Sequence, residues 1–214
     1  MLSWFIDLVL HLDRHLVDLV TQYHLWIYAI LFCVIFAETG LVVTPILPGD
    51  SLLFATGALT AVDSSGTLNA PILSLSLGIA AVLGNTVNYS IGRYIGPAAF
   101  TGRYRLLKVE YLQRTEQFFV RYGGRAIFLS RFMPIIRTFM PFVAGIGHMP
   151  YARFQGYNVI GGFLWVLLFI YGGYLFGNIP LVKDNFGVVT LLIIVASLLP
   201  LLWTVVRSLG EPRT

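Results

Sequence analysis

Two acids, Glu38 and Asp50, and two arginines, Arg131 and Arg137, stand in otherwise apolar stretches of this chain, the acids in one segment and the arginines in another. An arginine always carries its charge and presents a planar fork that suits phosphate oxygens. A carboxylate held in a low-dielectric site binds its proton more tightly than in water, so it can load or release one near neutral pH. The chemistry these types offer together is anion binding with proton exchange. A charge at the centre of a spanning helix costs about 2.5–3.5 kcal/mol, so four of them unpaired would cost on the order of 10 kcal/mol, as much as a typical domain's net stability. The chain must pair, wet or neutralise them. Structural salt bridges are the plainer reading, but buried ion pairs rarely gain stability over apolar packing.

The elements that carry these charges are broken ones. Between Glu38 and Asp50 lie Gly40, Pro45, Pro48 and Gly49, which interrupt any helix. The flanking apolar runs Leu25–Ala37 and Ser51–Val62 each cover only part of a bilayer core about 30 Å thick. Residues 24–62 therefore read as a re-entrant hairpin. Residues 126–149 read as a second, with Arg131 and Arg137 inside an apolar run that Pro134 and Pro141 are expected to break. Irregular backbone at membrane depth is tolerated only against protein or a wet cavity, so the two hairpins are expected to oppose each other. On a continuous helix Arg131 and Arg137 would point about 120° apart, and a break at Pro134 would let them converge. Pro45-Ile46-Leu47 and Pro134-Ile135-Ile136 each precede a Phe (Phe54, Phe142) and then a Gly (Gly57, Gly145), a pattern that suggests an inverted repeat of the kind seen in transporters.

The rest of the 214 residues supplies the setting: 57% are hydrophobic and 11% charged, against about a quarter charged in soluble domains. A soluble enzyme and a disordered chain are both excluded. The expected fold is a single all-α polytopic membrane domain over residues 1–214, with spanning helices at 70–97, 155–180 and 186–207 beside the two opposed hairpins. Residues 1–22 read as an interfacial amphipathic helix and not as a signal peptide. The basic segment 102–125, with Arg103, Arg105, Lys108, Arg114, Arg121 and Arg125 against Glu110 and Glu116, reads over Leu107–Tyr122 either as a second such helix or as a solvated connector, and it belongs in the cytoplasm by the positive-inside rule. The C-terminus is then cytoplasmic as well. Among lesser features, Arg93 reads as a snorkelling anchor, His148 as interfacial, and Asn85, Asn88 and Asn158 as links between helices. Gly92, Gly96, Gly173 and Gly177 read as close-packing positions. Cys33 is the lone cysteine, no cluster has metal-ligand spacing, and no nucleophile set or phosphate-cradling loop occurs. No metal, no cofactor, no nucleic acid and no enzymatic reaction are expected.

At the two broken segments the sequence resembles the DedA family of bacterial inner-membrane proteins, which share the VTT (SNARE-associated) domain with eukaryotic lipid scramblases. The first family-like motif runs from Phe36-Ala37-Glu38-Thr39-Gly40 through Pro45-Ile46-Leu47-Pro48-Gly49-Asp50-Ser51-Leu52-Leu53. The second is Arg131-Phe132-Met133-Pro134-Ile135-Ile136-Arg137-Thr138-Phe139 with Ala144-Gly145, and Gly92-Arg93 lies in a third. The resemblance implies opposed re-entrant hairpins, dependence on the proton-motive force, and transport of a lipid phosphate such as undecaprenyl phosphate, or of a phospholipid, across the cytoplasmic membrane. It implies proton coupling at Glu38 and Asp50 and substrate binding at Arg131 and Arg137. A proton-coupled small-solute or cation antiporter is the alternative from the same residues; a membrane scaffold and a membrane phosphatase are weaker ones. The partners are membrane lipid and protons, with a homo-oligomer left open.

Overall fold

The computed structural model describes residues 26–41, 49–63, 66–96 and 109–180. The expected helices at 1–22 and 186–207, and the prolines Pro45 and Pro48, lie outside the described residues. Among those described, all regular structure is helical: α1 Trp26–Gly40, α2 Gly49–Val62, α3 Ala70–Ile95, α4 Val109–Tyr122, α5 Arg125–Leu129, a 3-10 turn Ser130–Phe132, α6 Pro134–Ile146 and α7 Tyr151–Gly177. Two of them, α3 with 26 residues and α7 with 27, are long and apolar enough to cross a membrane. Both leave a face of large apolar side chains uncovered: Ile72, Leu75, Ile79, Leu83 and Val87 on α3, and Val159, Ile160, Leu164, Leu167 and Leu168 on α7. Such faces suit lipid contact, where exposed leucine carries no penalty.

The chain divides into two compact units, one of Tyr28–Leu47 with Pro71–Leu168, the other of Met1–Ile27 with Pro48–Ala70 and Phe169–Thr214. In the larger unit α3 is the central column, and glycines set how closely its neighbours approach. A Cβ added at Gly84 would lie 2.0 Å from the Thr39 hydroxyl and 2.8 Å from the Phe36 carbonyl on α1. One at Gly92 would lie 2.1 Å from the Phe142 carbonyl on α6, and one at Gly145 would lie 2.1 Å from the Tyr89 carbonyl. Backbone thus meets backbone, which only small residues permit. The smaller unit repeats the device: a Cβ at Gly57 would lie 2.1 Å from the Ile170 carbonyl, and one at Gly173 would lie 2.0 Å from the Phe54 carbonyl. In the α3–α6 and α2–α7 crossings the carbonyl that meets a glycine belongs to the residue three positions before the opposing glycine.

The break before α6 has a local cause. Pro134 restricts its predecessor to extended backbone, and Met133 adopts φ −122°, ψ 104°. The 3-10 turn ends there and α6 starts with Pro134 in its first turn, where a missing N–H costs nothing. Pro141, expected as a further break, does not act as one: α6 runs through it. Although the proline cannot donate to the Arg137 carbonyl, Phe139, Met140, Phe142, Val143 and Ala144 around it are all buried, and that packing holds the helix. Gly96 is also corrected. It has φ +63° with nothing near its Cβ position, so it ends α3 in a left-handed conformation and does not pack. His148 does the same for α6 at φ 50°, exposed, with Met149 N–H donating to the Ala144 carbonyl at 3.0 Å. The basic segment yields α4, whose Leu112 joins Phe139, Phe142 and Val143 in one apolar cluster.

Gly145→Ala forces backbone apart and should lower stability by about 2–3 kcal/mol. Gly156→Ala, at a helical position with open space beside it, should be neutral or gain up to about 1 kcal/mol from helix propensity. Thermal unfolding of the two variants in detergent micelles measures the contrast.

Candidate functional site

Within the larger unit, α1, the 3-10 turn, α6 and α7 bring three of the four ionisable residues together. Arg137, in the first turns of α6, donates through Nη2 to Glu38 Oε1 on α1 at 2.8 Å, and the two side chains are only 10% and 8% exposed. Arg131, on the 3-10 turn, is 2% exposed and donates through Nη2 to Asn158 Oδ1 on α7 at 2.8 Å. Both guanidiniums lie over one fully buried indole, Trp165, with their central carbons 5.8 Å (Arg131) and 5.0 Å (Arg137) from its ring centre. The change of direction at Met133 and Pro134 is what turns the two arginines onto a common partner. Cation–π attraction of each charge for the ring face offsets part of the repulsion between them.

The count of charge is uneven. Glu38 offsets one guanidinium, leaving this described cluster of two arginines and one acid with an excess of one positive charge in a buried setting. Arg131 also retains donors: its Nε and Nη1 are buried without a hydrogen-bond partner among the described residues. Buried guanidinium nitrogens are ordinarily satisfied, so these two retain the capacity to donate to an anion's oxygens.

Asn88 on α3 aligns the ion pair from behind. Its Nδ2 donates to the Thr39 carbonyl at 3.1 Å and to the Thr138 carbonyl at 2.9 Å, the residues directly after Glu38 and Arg137. The other two asparagines also join helices: Asn85 Nδ2 donates to Asn158 Oδ1 at 3.0 Å, and Asn158 Nδ2 to the Val82 carbonyl at 3.0 Å. Beyond them, Gln155 Nε2 donates to Thr86 Oγ1 and to the Tyr151 hydroxyl, each at 2.7 Å, extending the polar network toward the exposed end of α7.

Asp50 belongs to the smaller unit, in the first turn of α2 beside Gly49, where a carboxylate is favoured by the helix dipole. Arg93 is exposed in the last turn of α3. A shallow groove nearby is lined by Thr86, Val87, Ser90, Ile91, Tyr94 and Ile95 of α3 alone and touches none of the ionisable cluster. No group of acids, histidines and cysteines able to hold a metal occurs among the described residues. Trp165 escaped the sequence reading. Its signal was its position: spanning helices place tryptophan at their ends, whereas Trp165 sits mid-way along α7.

The VTT domain family matches residues 47–175, more than half of the chain. Protein DedA of Escherichia coli K12 is 50% identical over 208 residues, covering 97% of this chain and 94% of its own length. An uncharacterized membrane protein of Mycobacterium leprae is 44% identical over 170 residues, 79% of this chain and 75% of its own. Inner membrane protein YqjA of Escherichia coli K12 is 37% identical over 155 residues, 72% and 69% respectively. No solved structure matches.

Asn88→Leu removes both donors to the carbonyls behind the ion pair. Interhelical hydrogen bonds in membranes contribute roughly 1 kcal/mol each, so the variant should lose about 2 kcal/mol of stability, measured as a lower unfolding midpoint in micelles.

Proposed function

The chain belongs to the DedA family of VTT-domain membrane proteins, and we propose that it works as a proton-linked transporter of anionic lipids, moving a lipid phosphate across the cytoplasmic membrane. The observation that carries this reading is the buried Arg131, whose Nε and Nη1 have no hydrogen-bond partner among the described residues, beside a second arginine already engaged by Glu38. A site with one positive charge in excess attracts a negative headgroup. A proton on Glu38 would release Arg137 as well and raise the excess to two, which ties anion binding to proton uptake. Asp50 is assigned the second proton-exchanging role. In this reading α1 with α2, and α5 with α6, are re-entrant hairpins. The reciprocal glycine crossings of α3 with α6 and of α7 with α2 support an internal repeat, which this reading takes as an inverted one. The chain crosses the inner membrane several times and leaves its C-terminus in the cytoplasm, as the basic segment 102–125 requires.

The test is translocation in proteoliposomes carrying a fluorescent polyprenyl phosphate, with an imposed pH gradient. Wild-type protein should move the lipid, and collapsing the gradient should slow it. Arg131→Ala and Glu38→Ala should each reduce the initial rate by about tenfold or more, the scale of one lost charge-assisted interaction. Rates equal to wild type for both variants would overturn the assignment of the site, and a gradient-driven flux of a soluble cation indifferent to lipid phosphate would favour the antiporter.

A further inference from the structure

Asn158, Gly161, Gly162 and Trp165 fall at i, i+3, i+4 and i+7 on α7, one face of the helix. All four are buried, while Val159, Ile160 and Leu164 between them are exposed. Asn158 and Trp165 touch Arg131, and Gly162 makes room for it. Asn158 Oδ1 accepts from its Nη2 at 2.8 Å, and Trp165 lies beneath its guanidinium. A Cβ on Gly162 would meet Val82 Cγ2 at 3.0 Å and Arg131 Nη2 at 3.1 Å, whereas one on Gly161 would lie in ordinary contact, 3.7 Å from Arg131 Cγ.

The Asn158 amide is fixed in one sense. Its Nδ2 donates to the Val82 carbonyl at 3.0 Å and to Gln155 Oε1 at 3.1 Å, while its Oδ1 also receives Asn85 Nδ2 at 3.0 Å. Turning the amide over would set its NH2 against both a guanidinium and another amide NH2. The carbonyl oxygen therefore faces Arg131 and occupies Nη2, while Nε and Nη1 are left without a hydrogen-bond partner among the described residues. The type of side chain is decisive. A carboxylate here would hold Arg131 equally well but would neutralise it, whereas a neutral acceptor orients the charge and leaves it available.

The geometry points to Asn158 as the positioning residue of Arg131: it takes up one guanidinium nitrogen on the α7 stripe and presents the remaining donors to the phosphate of an anionic lipid. This inference rests on the anion-transport reading above and adds to it the residue that aims the arginine.

Farnesyl phosphate, titrated calorimetrically into the full-length protein in micelles with farnesol as the uncharged control, tests it. Wild-type protein should bind the phosphate and not the alcohol. Asn158→Asp, which keeps an oxygen against Arg131, adds a charge and gives up the donations to Val82 and Gln155, should weaken farnesyl phosphate about tenfold or more. Asn158→Leu should weaken it about tenfold in the wild-type background and by less than about twofold in Arg131→Gln, since the effect passes through the arginine. Gly162→Ala, which crowds Nη2 and Val82 together, gives a second perturbation beside Arg131 and should weaken binding several-fold. A purely helix-linking asparagine would leave affinity for farnesyl phosphate unchanged in Asn158→Asp, or give equal losses in both backgrounds; either result overturns the inference and leaves the anion reading standing. Equal binding of farnesol and farnesyl phosphate by the wild type overturns the anion reading, and the inference with it.

Discussion

A guanidinium that keeps its charge, buried between helices, governs the arrangement of the larger unit. Removing an ion from water costs several kcal/mol even after the protein relaxes around it, and Arg131 is 2% exposed. The protein meets that cost in parts, with an amide oxygen from Asn158 and with the face of Trp165. Neither removes the charge. Glu38 is committed to Arg137 by a direct ion pair, so the two arginines have different surroundings although they share an indole. The asymmetry separates a guanidinium held by a carboxylate from one held by a neutral group.

Holding such a cluster requires backbones that do not drift, and α3 provides them. Its glycines admit α1 at Gly84 and α6 at Gly92 to direct backbone contact. Asn88 then joins the carbonyls that follow Glu38 and Arg137. A small displacement of either helix would lengthen the ion pair and both hydrogen bonds together. Close approach through glycine and an amide staple are separate devices, one acting through shape and the other through polarity, and both act at the level of the ionisable pair.

Much of this was legible in the sequence because charge is conspicuous in an apolar chain. Glu38, Arg131 and Arg137 stood out for that reason, and Pro134 announced the break that lets the arginines converge, since proline constrains the residue before it whatever the surroundings. Pro141 was misread because a proline inside a helix breaks it only if packing does not resist, and the buried residues around it are known only from the fold. Gly96 was misread for a related reason: a glycine's sequence position does not say whether it serves contact or turning. Trp165 and the tasks of the asparagines were hidden because both depend on which helix faces which. The composition pointed to links between helices, but not to the carbonyls that Asn88 joins.

Trp165 has a consequence of another kind. An indole's electronic transition moves charge across its two rings, so its energy responds to the field in which the ring sits. Here two guanidiniums bear on one ring from 5.8 Å and 5.0 Å, and the ring is shielded from water. Any event that adds an anion, takes a proton or displaces either arginine alters that field at its source. The protein carries at the centre of its charged cluster a built-in optical gauge, whose colour is set by the balance of charge around it.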